Sequence, residues 1–380
     1  MSKLVLIASS SVVDSSLNLY TGIKELFDRL NADGDTIFIV SHNGNRLAEI
    51  IALLGSHYSY IKSTTRWTIR QVLEKYHNNQ VVYVGSSDVD LQLTASKKIL
   101  LFHSKWSDVQ EEKTAKYGHH VEKPSDFVNI MKILNNQSSW FYELKISDKV
   151  NVFSLTKANS MYLTYESEKE LIDGFNRLLK TGDTKYYDVL LLHFLASIVH
   201  NNDFLDVDFW GTMPSSGTQA SQQLELFKDR VRHLMSKKLT QPLFVRHTAT
   251  TKSHHIRNDS RIPCDRHFET ICLNPFYKKK LKNKTVCILD DYLTNGTSFE
   301  TLRNLLEYAG VKRIIFVSLG RFKKNVYSPE YVKQDYKIEG DVFSPGYSYE
   351  FIKRENINGT FNDSANEELR SLHAIINSPT

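Results

Sequence analysis

Residues 286–298, with the sequence VCILDDYLTNGTS, restrict the fold of this chain more than any other stretch. Residues 286–289 are apolar and predict a strand buried within a parallel sheet. Asp290 and Asp291 follow at its carboxyl end, which is where open α/β sheets bind their ligands. Gly296 lies in a short turn that opens a helix, and the free N–H groups at such a helix start attract anions. A phosphate at the helix start and a diol near the carboxylates together describe a sugar phosphate.

This stretch resembles the phosphoribosyl pyrophosphate (PRPP) motif of type I phosphoribosyltransferases, in which a hydrophobic strand, two acids and two further residues precede Thr-Thr-Gly-x-Thr or Ser. The departure is Asn295, at a position that is usually Thr or Ser. The resemblance implies that Asp290 and Asp291 orient the ribose hydroxyls as catalytic residues, and that Mg²⁺ is bound with PRPP, with these two acids as further candidate ligands. It assigns the 5′-phosphate to Thr294, Asn295, Gly296, Thr297 and Ser298. The alternative is an ordinary strand-to-helix turn whose acids cap the helix.

A second anion-binding turn is predicted upstream of these acids. A polar, Gly-closed loop precedes a helix predicted over 219–237, as anion-binding turns often do. In chain order it is similar to the pyrophosphate loop of type I phosphoribosyltransferases. The loop residues are Pro214, Ser215, Ser216 and Gly217. Taken alone, the four residues are equally typical of a plain turn.

Residues 246–261 are rich in hydroxyl and basic groups and poor in apolar ones, which is typical of a mobile loop. The family resemblance implies a catalytic loop that closes over PRPP, with Lys252, His254 and Arg257 as the candidate catalytic cations. The alternative is a solvated basic loop. Adjacent His254 and His255 find no third ligand at convincing spacing, which disfavours zinc.

Residues 1–136 alternate strands and helices, which predicts a doubly wound parallel sheet. The predicted strands are residues 4–7, 36–40, 81–84 and 99–102. The order of the segments is similar to that of the haloacid dehalogenase (HAD) hydrolase superfamily. An unrelated Rossmann-like domain is the alternative.

The HAD resemblance is incomplete in its motifs. Ser41 matches the second motif, Lys62 or Arg66 the third, and residues 85–90 the fourth, with Ser86 where that motif has its first acid. The first motif, an Asp nucleophile directly after the first strand, is absent because no carboxylate precedes Asp14. Without it no aspartyl-phosphate can form. The sequence therefore predicts a catalytically degenerate, non-hydrolytic domain.

The length of 380 residues predicts about two domains. We expect an α/β protein with two doubly wound parallel sheets: a HAD- or Rossmann-like domain over 1–136, a connecting region over 137–165, and a phosphoribosyltransferase-like domain over 166–380 that ends in an aromatic hood. Three cysteines without a CxxC pair disfavour disulfides and structural zinc. This cysteine pattern fits a reducing cytoplasm, and the absence of a long apolar run predicts no membrane span.

The function implied by the resemblance is transfer of ribose-5-phosphate from PRPP to an acceptor, with release of pyrophosphate. The alternative is a non-catalytic PRPP- or nucleotide-sensing effector or regulatory subunit, for example in a bacterial stress or phage-defence system. A HAD phosphatase is disfavoured by the missing first motif. The net charge of +5 fits a phosphorylated ligand or a nucleic-acid partner. The sequence leaves open whether the protein self-associates, and whether an effector would have a protein or nucleic-acid partner. The aromatic residues of the tail would stack on a base or form a small core.

Overall fold

The computed structural model describes residues 2–77, 80–137, 140–159, 165–216, 222–238, 241–249, 262–322 and 330–376. Within these ranges, the chain forms two open α/β sheets with helices packed around them. The predicted α/β class is confirmed. Among the described helices, none combines the length and the apolar character that a membrane crossing requires.

The first unit is built on a six-stranded sheet in which every neighbouring pair is parallel. Its strands are β1 (Leu4–Ala8), β2 (Thr36–Ser41), β3 (Lys62–Thr65), β4 (Val81–Gly85), β5 (Leu100–Ser104) and β6 (His119–Val121). Its helices are α1 (Ile23–Ala32), α2 (Gly44–Leu54), α3 (Ile69–Leu73), α4 (Asp88–Lys97), α5 (Glu112–Tyr117) and α6 (Pro124–Leu134). The order β3-β2-β1-β4-β5-β6 reverses direction between β1 and β4, as in doubly wound folds.

The second unit carries the remaining elements. Its strands are β7 (Tyr142–Ser147), β8 (Val150–Lys157), β9 (Phe209–Thr212), β10 (Phe244–Arg246), β11 (Ile271–Leu273), β12 (Thr285–Leu293), β13 (Arg313–Arg321), β14 (Tyr331–Glu339), β15 (Ser348–Ile357) and β16 (Thr360–Phe361). Its helices are α7 (Glu166–Thr181), α8 (Tyr187–His200), α9 (Gln222–Leu234), α10 (Asp265–Phe268), α11 (Thr297–Tyr308) and α12 (Ser364–Ile376).

The main sheet of the second unit is mixed, whereas a parallel sheet was expected. In the order β16-β7-β8-β13-β12-β9, the strands β8, β13, β12 and β9 are parallel, and β7 and β16 pair antiparallel. The expected connecting region over 137–165 contributes β7 and β8 to this sheet. A tight turn joins these two strands, and such a turn can only give an antiparallel pair.

Helix α8 lies between the two sheets and is buried along nearly its whole length. Its buried residues include Leu191, Leu192 and Phe194. A helix that is apolar all round has to be covered on every side. One hydrophobic core contains residues of the first sheet, of α8 and of the second sheet. Helix α12 joins the same core and packs on α6 and α8.

Two small antiparallel sheets complete the second unit. Strands β10 and β11 form one pair, and β14 and β15 form a hairpin beside α11. The hairpin occupies part of the tail that was expected to be an aromatic hood. Tyr331, Tyr336 and Tyr347 are buried in the core beneath it, whereas Phe351 is about half exposed. These three tyrosines are therefore core residues rather than a surface open to a base.

Candidate functional site

Strands β12 and β9 bring two of the predicted site segments together. The two strands are parallel, with Leu289 opposite Thr212, and the Met213 amide donates to the Leu289 carbonyl (2.8 Å). Parallel strands end at the same edge of a sheet, so Asp290 and the loop that begins at Pro214 lie next to each other. Pairing of β12 with β13 continues past the acids to Leu293, whereas the predicted strand stopped at residue 289.

Arg246, at the end of β10, ties the candidate pyrophosphate loop to the rest of the site. Its Nε donates to the Ser215 carbonyl (2.5 Å), and its Nη1 donates to the Thr270 hydroxyl (2.6 Å). Burial lowers the pKa of Arg246 to about 10, with Arg266 as a second cause, while the charge of Asp290 acts in the opposite direction. Arg246 therefore supplies a positive charge beside the acids. Arg246 was expected to begin the mobile basic loop over 246–261, but it is buried at the end of β10.

The two acids differ in their surroundings. Asp290 is buried and Asp291 is half-buried. Burial raises the pKa of Asp290 well above its ordinary range, and the negative charge of Asp291 raises it further. Asp290 Oδ1 accepts from the Asp291 amide (2.9 Å), and Asp291 Oδ1 accepts from the Tyr292 amide (2.7 Å). Both contacts lie within β12, so neither carboxylate caps the following helix.

The predicted phosphate turn leads directly into α11. Gly296 precedes the helix with φ of +86°, a conformation that favours glycine. The Thr297 hydroxyl donates to the Ile262 carbonyl and to Asn295 Oδ1 (both 3.0 Å). Thr294 is exposed and Ser298 is half-buried. The turn therefore combines internal bonds at Thr297 with accessible groups at Thr294 and Ser298.

A buried ionic network supports this turn from the side of the hairpin. Glu300 on α11 is fully buried and accepts from the Tyr331 hydroxyl (2.8 Å), the Gln334 amide (2.8 Å) and Arg303 (2.7 Å). Arg303 also contacts Asp335 at 2.8 Å. The only sequence signal was an opposite-charge pair three positions apart on a helix, which usually lies on the surface.

Arg321 is a second buried cation beneath the turn. It lies at the end of β13 and is fully buried. Its guanidinium donates to the carbonyls of Leu293 (3.1 Å), Thr294 and Glu330 (2.6 Å), and it stacks on the Tyr142 ring at 4.7 Å. Its position fixes the carbonyls that precede Asn295. Sequence reasoning missed it because these contacts are non-local.

Several predicted residues lie outside the described part of the chain. They are Gly217, Lys252, His254, His255 and Arg257. The described residues contain no group of three or more His, Cys, Asp or Glu side chains that would hold a metal ion. Asp290 and Asp291 offer oxygen atoms, the donors that Mg²⁺ prefers, but Mg²⁺ commonly needs substrate phosphates and water to complete its shell. The two acids fit an ion that arrives with a pyrophosphate.

In the first unit, the acids of the HAD-like fourth motif take part in internal contacts. Asp90 is fully buried, forms an ion pair with Arg66 at 2.5 Å and accepts from the Tyr83 hydroxyl (2.8 Å). Asp88 accepts from the amide and the hydroxyl of Thr114 (3.0 and 3.2 Å) at the start of α5. Both acids therefore stabilise the unit itself.

The end of β1, where HAD enzymes have their nucleophile, carries hydroxyl groups instead. The Ser11 and Ser104 hydroxyls are 2.7 Å apart, and Ser86 donates to Ser107 (3.1 Å). Ser41 is buried and accepts from the Asn43 amide (3.2 Å). The remaining candidates have other environments: Lys62 is exposed on β3, and Asp14 bonds the Asn18 and Ser16 amides (both 2.8 Å).

Comparison with known proteins gives partial likenesses. No family model matches the chain, and no curated protein matches it. A protein described as a HAD family hydrolase from Streptomyces avermitilis is 16% identical over 28% of this chain and 68% of that chain, with a TM-score of 0.23. The core domain of a phosphoglycolate phosphatase from Streptococcus pneumoniae is 18% identical over 35% of this chain and 97% of that one, with a TM-score of 0.26.

A third likeness is to a D,D-heptose 1,7-bisphosphate phosphatase from Burkholderia thailandensis, 18% identical over 32% of this chain and 88% of that chain, with a TM-score of 0.24. By these descriptions, two of the three proteins are phosphatases and one is a HAD family hydrolase.

Proposed function

We propose that the second unit binds PRPP, or a related sugar phosphate, at the edge where β9 and β12 end, and transfers ribose-5-phosphate to an acceptor. The observation that carries this proposal is the juxtaposition of Asp290 with the loop that begins at Pro214. Arg246 bonds that loop and places its charge near the acid. A sugar diol between two phosphate-binding turns needs this arrangement of groups.

In this proposal, Asp290 and Asp291 accept hydrogen bonds from the ribose hydroxyls. The phosphate turn, with the accessible Thr294 and Ser298, holds the 5′-phosphate at the start of α11. Positive charge from Arg246 stabilises the developing pyrophosphate, and Mg²⁺ bound to that pyrophosphate would neutralise part of its charge. The protein supplies positioning and charge stabilisation rather than a nucleophile.

Calorimetry with PRPP and Mg²⁺ tests the binding step. Replacing both acids in Asp290→Asn/Asp291→Asn removes two charged acceptors, each worth ~1.5–3 kcal/mol, so PRPP affinity should fall roughly 100-fold or more. Inorganic phosphate without Mg²⁺, which has neither a diol nor a bound metal ion, should bind wild type and variant alike. Equal PRPP affinity in the two proteins would exclude ribose binding by these carboxylates.

Pyrophosphate release separates transfer from sensing. A transferase should release pyrophosphate from PRPP when a suitable acceptor base is added, and the double variant should not. Tight PRPP binding without release across a panel of bases would instead favour the sensing effector. One observation favours the sensing effector. The Thr297 hydroxyl and Asn295 bond within the protein, which leaves fewer groups in the turn for the substrate.

A further inference from the structure

The opposite edge of the second sheet carries a row of exposed lysines, which we call the basic edge. It consists of Lys149, Lys279, Lys280, Lys282 and Lys312, all exposed. Three segments distant in sequence contribute to it, because β8, β13 and β12 are adjacent parallel strands that start at this edge. The row therefore arises from the fold as well as from the lysine-rich sequence KKKLKNK over 278–284.

Backbone contacts hold the three segments of the basic edge together. The Ile314 amide donates to the Lys149 carbonyl (2.8 Å), and the Lys312 amide donates to the Lys284 carbonyl (2.9 Å). The side chain of Lys282 lies against the position where Gly310 would carry a Cβ, at 3.4 Å. The lysines thus belong to one continuous surface.

The acids near the basic edge form ion pairs with lysine or arginine side chains outside it. Lys278 pairs with Asp341 at 2.8 Å, and Lys284 pairs with Asp208 at 3.2 Å. Nearby, Asp148 pairs with Lys145 at 2.7 Å and Asp203 pairs with Arg313. By contrast, the five lysines of the basic edge form no ion pair with any residue in the described ranges. Their positive charge is uncompensated at this edge.

An aromatic side chain accompanies these charges. Phe276 is 48% exposed, and the Lys280 ammonium lies 3.3 Å from the centre of its ring. A cation beside an exposed ring is the combination with which proteins bind single-stranded nucleic acid, because the ring stacks on a base while the lysines contact phosphates. Lysines alone would also attract an anionic membrane, but the exposed ring beside them favours a ligand whose bases can stack.

We propose that the basic edge binds single-stranded nucleic acid through its phosphates, with Phe276 as a stacking platform. The edge lies roughly 20 Å from Asp290 along β12, at about 3.3 Å per residue, so both sites can be occupied together. This proposal stands independently of PRPP binding. It gives the second unit a polymer ligand on the edge opposite its small-molecule site.

Fluorescence anisotropy with a labelled oligothymidylate of about 16 nucleotides tests the proposal. Wild type should bind at low salt, and its affinity should fall steeply as salt is added. For the variant Lys279→Ala/Lys282→Ala, the slope of log K against log salt should be smaller by roughly 1.4, since each phosphate contact on a single strand contributes about 0.7. Affinity at low salt should fall at least about 10-fold.

Matched controls make the outcome decisive. Lys24 and Lys113 are exposed lysines of the first unit, so Lys24→Ala/Lys113→Ala removes the same charge elsewhere and should leave the slope unchanged. Phe276→Ala should weaken binding roughly 5- to 100-fold if the ring stacks on a base. Absence of oligonucleotide binding, equal loss in the control, or capture of phosphatidylglycerol vesicles instead of the oligonucleotide would each overturn the proposal.

Discussion

At the residue scale, the two units use their carboxylates in opposite ways. In the first unit Asp90 is buried but paired with Arg66, so it contributes to stability. In the second, Asp290 is buried next to a second acid, and its raised pKa signals an unfavourable environment for charge. Destabilised groups of this kind concentrate at functional sites, and paired ones are usually structural.

Replacing Asp290 should therefore stabilise the protein while impairing binding. The pKa of Asp290 is raised in the folded state. Below pH 3.8, its ordinary value, the carboxyl is neutral in the folded and in the unfolded chain, so it does not lower the free energy of unfolding. As pH rises, the unfolded chain loses its proton first, and the wild type loses stability relative to Asp290→Asn. Urea unfolding between pH 5 and 8 should show a gap that widens with pH to on the order of 1–3 kcal/mol. The exposed Glu355, changed to Gln, provides the matched control for loss of one carboxylate.

Replacing Asp90, by contrast, should destabilise the protein. Asp90→Asn leaves Arg66, which is 20% exposed, without its partner, and breaking a buried pair costs roughly 3–5 kcal/mol. The exposed pair of Arg70 and Glu74 provides the control, because Glu74→Gln should cost under about 1 kcal/mol. Thermal unfolding measures both. A magnesium-dependent phosphatase activity that Asp90→Asn abolishes would contradict the structural role assigned to this acid.

At the element scale, the sequence predicted those strands that a continuous run of apolar residues identifies. The apolar runs of β1, β2, β4 and β5 have no alternative to burial, and all four were predicted within two residues of their observed bounds. The strands β3 and β6, with sequences KSTT and HHV, carry no such signal, because short polar strands form only when neighbours provide the pairing. Strand β7 does alternate, as YELKIS, yet it lies in the segment expected to be a connector.

In the candidate site, too, residues that are close in sequence were predicted and residues from distant strands were not. Asp290, Asp291 and Gly296 lie within seven residues of the sequence, so the strand end and the turn that follows it were predictable together. Arg246 and Arg321 reach the site from other strands, and no periodicity reveals which distant carbonyl a guanidinium will bond. The pairing of β9 with β12 was not predicted, because chain order only suggested a pyrophosphate loop at residues 214–217.

Gly296 should be intolerant of any side chain, for two separable reasons. Its φ is +86°, and an added Cβ would lie 2.3 Å from the Tyr331 ring. Gly346 has φ of +96° with no atom within 4 Å of the added Cβ, so Gly346→Ala reports backbone strain alone, about 1–2 kcal/mol. Gly296→Ala should cost a further 1–3 kcal/mol, roughly, for the steric overlap. If denaturant unfolding shows equal losses of stability for the two variants, the Tyr331 ring moves away from the added Cβ without a loss of free energy.

At the scale of the whole molecule, α8 belongs to one hydrophobic core that contains residues of both main sheets. Lys3, directly before β1, contacts His200 at the end of α8, with its Nζ 3.2 Å from the ring Nε2. These residues were expected within the domain over 166–380 alone, because an apolar sequence does not reveal how many partners cover it.

The chain should accordingly unfold in a single transition. Leu192 on α8 is fully buried, and Leu192→Ala should destabilise the protein by roughly 2–5 kcal/mol. Tryptophan fluorescence, far-ultraviolet circular dichroism and calorimetry should report the same lowered midpoint. Two transitions, only one of which moves in the variant, would show that the units fold separately.

The packing of α12 on α6 also has a consequence for the order of synthesis. Helix α6 ends at Leu134, and the residues that cover it from α12, including Leu369 and Leu372, are made only after both sheets have been translated. Until then α6 is covered by α1 and the first sheet but not by α12, so the surface of α6 that α12 covers should stay exposed in the nascent chain. A ribosome-bound chain stalled before residue 364 should be digested quickly around α6, and release of the completed chain should protect that region.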